Sequence, residues 1–480
     1  MAFELRKKIL GFIGSEKEYP VLAGFVIGFY LMAFYYSHNL ELFSWQQFLF
    51  FIGYYVVFPT FVITAAWYFL KKGRFKKYVR QVIFVLAAAF FTFFVLQNLI
   101  LKHSYVKIFF LALFLIVLIS FKFNNYKAGF VLIFFMAFFP MAAIGNQIYT
   151  NFQNSPEWNK QPDAILNAKF IQKPNVYYLQ VDGYASVSAF KNKYYHFDNS
   201  AFEHKLSEKG FTLYEDFRSN YKSTLMSNAS CFNMKHHYSR QNAGFKTARD
   251  YIVGENPVLE IFKSNGYKTF FITERPYLIM NRPDVKYDYA NFTQAELPYF
   301  KDGWDSFKEI APELKRQILK NKQTRNFMFV EKLTPSHIEW NENNSKGVEE
   351  ERNAYLKRVR ETNVWLDDVL SFIISNEPTA IIILGADHGG IVGYSSTSKT
   401  YANITDPQQL QSIFGAQMAI RWNSAKASEY GSHLKTSVNL FRVLFSHMSG
   451  DKKYLNSLQP DISYNNSTIS DEQKIYKAIE

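Results

Sequence analysis

The chain has 480 residues, 48% of them hydrophobic, with 49 Phe, 32 Tyr and one Cys, which excludes a lone small binding module, a disordered chain and a disulfide scaffold. Its formal charge of +13 is unevenly placed: residues 1–150 hold 14 Lys and Arg against 4 Asp and Glu, whereas residues 151–480 hold 40 against 37. A basic excess threaded between apolar runs reads as membrane topology and argues against a nucleic-acid partner.

A helix crossing ~30 Å of hydrocarbon needs about 20 apolar residues. Four stretches free of Asp, Glu, Lys and Arg meet that length: 19–40, 42–70, 81–101 and 128–149. A fifth, Ile108 to Phe121, is shorter, but Lys107 and Lys122 at its ends can snorkel. About five helices are therefore expected over residues 1–149, the fourth at 105–123, and no cleavable signal peptide is evident. Arg6, Lys7 and Lys8 precede the first span, the 37–45 connection has no Lys or Arg, 71–80 has six, and 102–107 and 122–127 have two each. Positive loops stay in the cytoplasm, so five spans place residues 150–480 outside the cytoplasmic (inner) membrane, in a bacterial periplasm. Pro59 and Pro140 predict kinks, and no ionisable residue lies mid-span to suggest an ion pathway.

After a polar linker, 150–173, the pattern changes. Residues 175–181 (NVYYLQV), 211–214, 268–273 (KTFFIT), 326–330 (NFMFV) and 379–385 (TAIIILG) read as strands; 198–209, 256–265 and 347–376 read as helices. Buried strands separated by helices predict a mostly parallel sheet sandwiched by helices over 174–480, with ligands beyond the carboxyl ends of its strands.

Those ends carry the candidate chemistry. One strand finishes in Val181-Asp182-Gly183-Tyr184, and another in Gly385-Ala386-Asp387-His388-Gly389-Gly390. Taken singly, either Asp is a helix cap or turn residue; together with His388 they are an oxygen-and-nitrogen metal site suited to zinc or manganese. Between them, Ser219-Asn220-Tyr221-Lys222-Ser223-Thr224-Leu225-Met226-Ser227 is a hydroxyl-rich turn entering a helical pattern. Ser223 or Thr224 there is either an N-cap or, beside a divalent metal and a helix dipole, a nucleophile.

These blocks, NVYYLQVDGY, SNYKSTLMSNASCFNM, NFMFVEKLTPSH, AIIILGADHGG and SVNLFRVLF followed by Asp461-Ile462-Ser463-Tyr464, resemble in order and spacing the sulfatase-like, alkaline phosphatase superfamily. The resemblance covers about 175–445 and is strongest to the membrane-anchored bacterial branch of phosphoethanolamine and phosphoglycerol transferases, such as lipoteichoic acid synthase. It implies that Asp182, Asp387 and His388 bind one divalent cation, manganese or zinc. It implies too that Thr224 completes that sphere and carries the transferred group. Sulfatases that form formylglycine start from Cys or Ser followed two residues on by Pro and then Arg, whereas Thr224-Leu225-Met226-Ser227-Asn228 stands here, which argues against sulfate-ester hydrolysis. The resemblance offers His337 as a substrate-binding or second-metal histidine, although Glu331 and Ser336 depart from the family's pattern, and His433 as the late histidine. His236 and His237 have no ligand spacing to the others and read as structural. Arg218 and the Arg421-Trp422 pair are either solvated or face an anionic headgroup.

The expected function is a membrane-bound, metal-dependent transferase. It moves a phosphoethanolamine- or phosphoglycerol-type group from a phospholipid donor to an envelope glycan or lipid through a phospho-threonine. The alternatives are a phosphodiesterase or phosphonate-type hydrolase, and an inactive glycan-binding scaffold.

Overall fold

Gly24 and Gly28, four residues apart on one helix, bring it backbone to backbone against Thr60 and Tyr55 of the next, where any Cβ would collide; small residues at this spacing are how apolar helices meet closely. The computed structural model describes residues 2–99, 105–152, 156–236, 248–300, 303–469 and 472–480. The chain divides into two units, Met1–Gln153 and Asn154–Glu480.

In the first unit, four helices among the described residues are long and apolar enough to cross a membrane: Pro20–Asn39, Trp45–Leu70, Lys76–Gln97 and Tyr126–Asn146. The segment expected at 105–123 forms a helix of 16 residues, Tyr105–Ser120, about 24 Å long. It runs antiparallel to Val79–Leu99, with Phe109 against Phe93 and Phe123 against Phe84 (5.4 and 5.9 Å between ring centroids). Gln81 donates to Ser120 Oγ (2.9 Å) at one end. At that end Arg80 also pairs with Glu18 (2.8 Å), and Lys127 donates to the carbonyl of Ser15 (2.6 Å). Both prolines fall at irregularities. Residues Ile52–Val57, just before Pro59, open into a wider π-helical turn, and Pro140 lies in the first turn of Phe138–Phe152 after a break at Ala137, because proline supplies no backbone donor.

The second unit is built on a sheet of β1 (Val176–Val181), β2 (Thr212–Leu213), β3 (Tyr267–Thr273), β4 (Tyr289–Ala290), β5 (Arg325–Lys332), β6 (Ile381–Gly385) and β7 (Met418–Arg421), in the order β2-β7-β6-β1-β5-β3-β4. From β6 to β4 every neighbour is parallel; β7 and β2 add antiparallel pairs at one edge. Strands β1 and β6 are buried along their whole length, as continuous apolar runs require when helices cover both faces. Helices flank the sheet. On one face Phe232, Phe262 and Phe441 pack against Tyr178, Phe327 and Phe329. Helix Val348–Asn376 buries Tyr355, Leu356, Val359, Leu366, Val369, Leu370 and Ile373, a stripe at helical spacing. A polar hairpin, β8 (Ser463–Ile469) with β9 (Glu472–Ile479), closes the chain.

The segment expected as a linker, 150–173, is held against the second unit from Trp158, whose ring meets Tyr251 edge-on at 4.9 Å. Gln161 donates to the carbonyl of Asn233 (2.8 Å), and Asp163 pairs at 2.7 Å with Arg442, whose side chain is fully buried.

Candidate active site

Strand register brings the two aspartates together. Gln180 of β1 stands opposite Gly385 of β6, and each Asp lies two residues beyond that pair, so Asp182 and Asp387 leave adjacent parallel strands at the same level. The Gly183 N–H donates to Asp387 Oδ1 (3.1 Å). Gly183 has φ +66°, and a Cβ there would sit 2.5 Å from the carbonyl carbon of Ser336. Glycine lets that segment fold over the end of β1, where the Ser336 N–H donates to the Asp182 carbonyl (2.7 Å).

Thr224 arrives from another element. It is the first residue of helix Thr224–Asn233, whose N-cap Ser223 makes no side-chain cap. The unpaired amides and positive end of a helix dipole therefore lie beside its hydroxyl. Thr224 Oγ1 is 3.4 Å from Asp182 Oδ1 and 3.5 Å from His388 Nε2. His388 Nε2 is in turn 3.4 Å from Asp182 Oδ1 and from Asp387 Oδ2. These separations are long for hydrogen bonds. They match the spacing of about 3.3–3.4 Å between atoms that surround one tetrahedral ion at about 2.0–2.1 Å each.

Two further observations fit a cation. Asp387 Oδ2 is buried without a hydrogen-bond partner, a costly state for a carboxylate. His388 Nδ1 faces the Gly389 carbonyl at 2.8 Å, so that nitrogen carries a proton and Nε2 is the one turned to the carboxylates, where it would bind an ion in place of a proton. Asp182, Asp387 and His388 are all buried and can together hold a metal ion. Burial, then Asp387, raises Asp182 well above the usual carboxylate range; on His388 burial opposes the charge, yet Asp387 and Asp182 hold it above its ordinary value.

His337 joins this group. Its ring lies 5.8 Å from that of His388, its Nδ1 faces the Ile338 carbonyl (2.5 Å), and burial pulls it down to about 4, so a neutral imidazole borders the site. Glu331, near the end of β5, accepts from Tyr277 Oη (2.5 Å) and Thr273 Oγ1 (2.9 Å). Burial pushes it up to about 8. Read only as a departure from a motif, it proves to be a fully enclosed carboxyl beside the aspartates.

The turn before Thr224 holds a residue that sequence reading passed over. Lys222 Nζ donates to Thr400 O (3.1 Å) and Oγ1 (3.2 Å) and lies 3.6 Å from the centroid of the Tyr401 ring. Burial alone acts on it, pulling it down to about 7.

Other candidates stand elsewhere. His433 is exposed on the turn after helix Ser428–Gly431, and among the described residues its ring has no hydrogen bond or ring contact with the cluster. Arg421 ends β7 opposite Ile382, toward the amino ends of the parallel strands, and donates to the carbonyls of Lys209 and Pro378. Arg218 donates to the Asp461 carbonyl (2.5 Å). His236 meets the Pro460 carbonyl (2.8 Å) and packs on Tyr464, which stacks on Tyr221; His237 lies outside the described residues. Cys231 is buried, which pushes its thiol up.

The largely parallel sheet gathers Asp182, Asp387, His388 and the helix-borne Thr224 hydroxyl past its carboxyl edge, and the class of the chain is that of a sulfatase-like enzyme. The chain belongs to the Sulfatase family, whose model matches residues 174–450, more than half of its length. No curated protein matches it in sequence. Among solved structures it is similar to the C-terminal periplasmic domain of EcEptC from Escherichia coli (13% identity, TM-score 0.41, covering 65% of this chain and 95% of that one) and to the same domain in complex with Zn (14%, 0.39, 59% and 85%). It is also similar to the integral membrane protein lipooligosaccharide phosphoethanolamine transferase A (EptA) from Neisseria meningitidis (13%, 0.43, 86% and 77%).

Proposed function

We propose that this protein is a transferase of the cytoplasmic membrane. On this reading it takes a phospho-substituent, of phosphoethanolamine or phosphoglycerol type, from a phospholipid and passes it by way of Thr224 to an envelope glycan or lipid on the outer side of that membrane. The observation that carries this is the set of 3.4–3.5 Å separations linking Thr224 Oγ1, Asp182 Oδ1, His388 Nε2 and Asp387 Oδ2.

Asp182, Asp387, His388 and the Thr224 hydroxyl would hold one divalent ion, manganese or zinc. Bound there, the ion supplies charge that acidifies a hydroxyl and offsets negative oxygens on phosphorus. The helix amides and dipole at Thr224 favour an anion in front of the hydroxyl. Thr224 Oγ displaces diacylglycerol from the phosphodiester: the Oγ–P bond forms, the bond from phosphorus to the diacylglycerol oxygen breaks, and the Thr224 proton leaves on diacylglycerol. The acceptor hydroxyl then attacks phosphorus: the bond from the acceptor oxygen to phosphorus forms, the Thr224 Oγ–P bond breaks, and the acceptor's proton ends on Thr224 Oγ, which restores the free hydroxyl. His337, neutral and beside His388, has the character to orient a substrate oxygen or accept the acceptor's proton.

The test is to incubate detergent-purified protein with phospholipid and digest it for mass spectrometry. A phospho-substituent on the Thr224 peptide, absent after metal chelation, supports the reading, and a Thr224 that stays bare while lipid is consumed overturns it. Release of free phospho-headgroup in place of acceptor labelling assigns the same chemistry to a hydrolase.

A further inference from the structure

Helix Ala2–Gly14 has the composition of neither a span nor a core helix. Its 13 residues reach only about 20 Å, and Arg6-Lys7-Lys8 at its centre keeps it out of hydrocarbon. Leu5, Ile9 and Ile13 follow at four-residue steps on one side, with Glu4, Lys7 and Lys8 on the other, the pattern of a helix lying in a headgroup layer. Ile9 and Ile13 are half-buried, whereas Phe3 (80%), Leu5 (55%) and Leu10 (57%) are left open. The end of the helix is pinned to the spans. The Ile13 carbonyl accepts from Asn125 (3.3 Å), and the Ser15 carbonyl accepts from Arg80 (3.1 Å) and Lys127 (2.6 Å).

Arg80 brings that end beside a second basic segment. Residues 71–78, KKGRFKKY, join a helix ending at Leu70 to one starting at Val79, and so short a link between two spans stays at headgroup depth. It carries the cations Lys71, Lys72, Arg74, Lys76 and Lys77 and two exposed rings, Phe75 and Tyr78. Among the described residues no carboxylate pairs with these cations; Lys71, Arg74 and Lys77 rest on the rings of Trp67, Phe75 and Tyr78. The acids at this end do not balance them. Glu16 and Glu18 are both taken by Arg80 (3.4 and 2.8 Å), which leaves Glu4 against Arg6, Lys7 and Lys8. Unpaired cations interleaved with open apolar side chains match a layer that is anionic at its surface and apolar just beneath.

We propose that helix Ala2–Gly14 and the 71–78 loop form one binding surface for anionic phospholipids, holding the headgroups of the leaflet at this end of the membrane unit. The ammonium and guanidinium groups meet lipid phosphates, while Phe3, Leu5, Phe75 and Tyr78 enter the boundary with the acyl chains. A zwitterionic lipid brings its own positive charge among these cations and is held less well. The surface is separate from the chemistry at Thr224 and does not rest on it. With five crossings, the leaflet concerned is the cytoplasmic one.

The experiment places the full-length protein in phosphatidylcholine vesicles with a trace of spin-labelled phosphatidylglycerol or spin-labelled phosphatidylcholine, and reads the fraction of each probe immobilised on protein by electron paramagnetic resonance. We expect phosphatidylglycerol to be held about threefold or more over phosphatidylcholine, the ratio falling toward equality at high salt. Lys72→Gln/Arg74→Gln/Lys76→Gln/Lys77→Gln should bring it to about one, and Lys72→Arg/Lys76→Arg/Lys77→Arg should keep it. The ratio is internal to each preparation, so a loss of folded protein cancels from it. A nitroxide on Leu5→Cys should relax faster with oxygen than with a water-soluble nickel chelate. A wild-type ratio near one overturns the inference, as does a ratio that the Gln substitutions leave unchanged, since the anionic lipid is then held elsewhere, the Thr224 site included. Loss of preference in the Arg variant also overturns it, because charge is then not what selects the lipid. A Leu5 label reached mainly by the chelate puts the helix in water and overturns the shared surface.

Discussion

At Thr224 a hydroxyl sits on the first turn of a ten-residue helix, within 3.5 Å of a buried imidazole and a buried carboxylate. Its reactivity depends on that placement, so Thr224→Ala should lower turnover by roughly a thousandfold or more while metal content and unfolding midpoint stay near wild type. Asp387→Asn should act differently. It removes the charge that Oδ2 presents without a partner, and elemental analysis should show bound manganese or zinc falling from about one ion per chain to a small fraction of that. Glu331 gives a pH signature. Enclosure holds its proton up to about 8, so between its ordinary value and 8 the folded state binds more protons than the unfolded one, and stability falls as pH rises through that window. In metal-free protein the unfolding midpoint should drop from pH 5 to pH 8, and Glu331→Gln should flatten part of that slope; a slope unchanged by Glu331→Gln would refute the assignment. Asp182 and Asp387 were legible because each directly follows a buried apolar run. Lys222 was not, since what defines it is Thr400 and Tyr401, nearly 180 residues further along the chain.

One residue of register slip in β1 or β6 would turn one aspartate away from the other, so the site depends on how the elements are clamped. Helix Val348–Asn376 supplies a clamp. Tyr355 Oη donates to the Gly183 carbonyl (2.9 Å) and accepts from the Ala185 N–H (3.0 Å), while its ring fills the space that a side chain at Gly390 would occupy. A single phenol thus fixes the turns that follow both aspartates. Tyr355→Phe leaves two buried backbone groups unpaired and should cost about 1–3 kcal/mol, read from denaturant unfolding, together with a loss of kcat greater than any change in KM. The long helix could be read because its apolar residues recur at helical spacing, and β1, β3, β5 and β6 because each is a nearly unbroken apolar run. Strands β4 and β7 were missed because two to four residues carry no period. The β8–β9 hairpin was missed because SYNNSTI is rich in turn formers; it is a strand through pairing with Glu472–Ile479 and through Tyr464, whose N–H donates to the Asn220 carbonyl (2.8 Å). His337 shows the same limit: its place beside His388 comes from the fold-over of Thr334–His337 across Gly183, which no local spacing announces.

For the molecule as a whole, the side on which residues 154–480 stand turns on one short helix. Tyr105–Ser120 spans only about 24 Å, less than the hydrocarbon core it would have to cross, but its antiparallel run beside Val79–Leu99 returns the chain to the end that also holds Arg80, Glu18 and Lys127. Lys107 and Lys122 at its ends can reach the interfaces, and local thinning covers the shortfall at modest cost. Counting it gives five crossings, which put the six basic residues of 71–80 inside and the sulfatase-like unit outside; omitting it reverses the large unit. Cysteine labelling decides between the two, because the native Cys231 is buried and gives little background. In intact cells treated with a membrane-impermeant maleimide, Lys357→Cys, at a side chain 76% exposed, should be modified, and Lys77→Cys in the basic loop should react only after permeabilisation. The opposite pattern would place the site in the cytoplasm and remove the envelope acceptor from the proposed reaction.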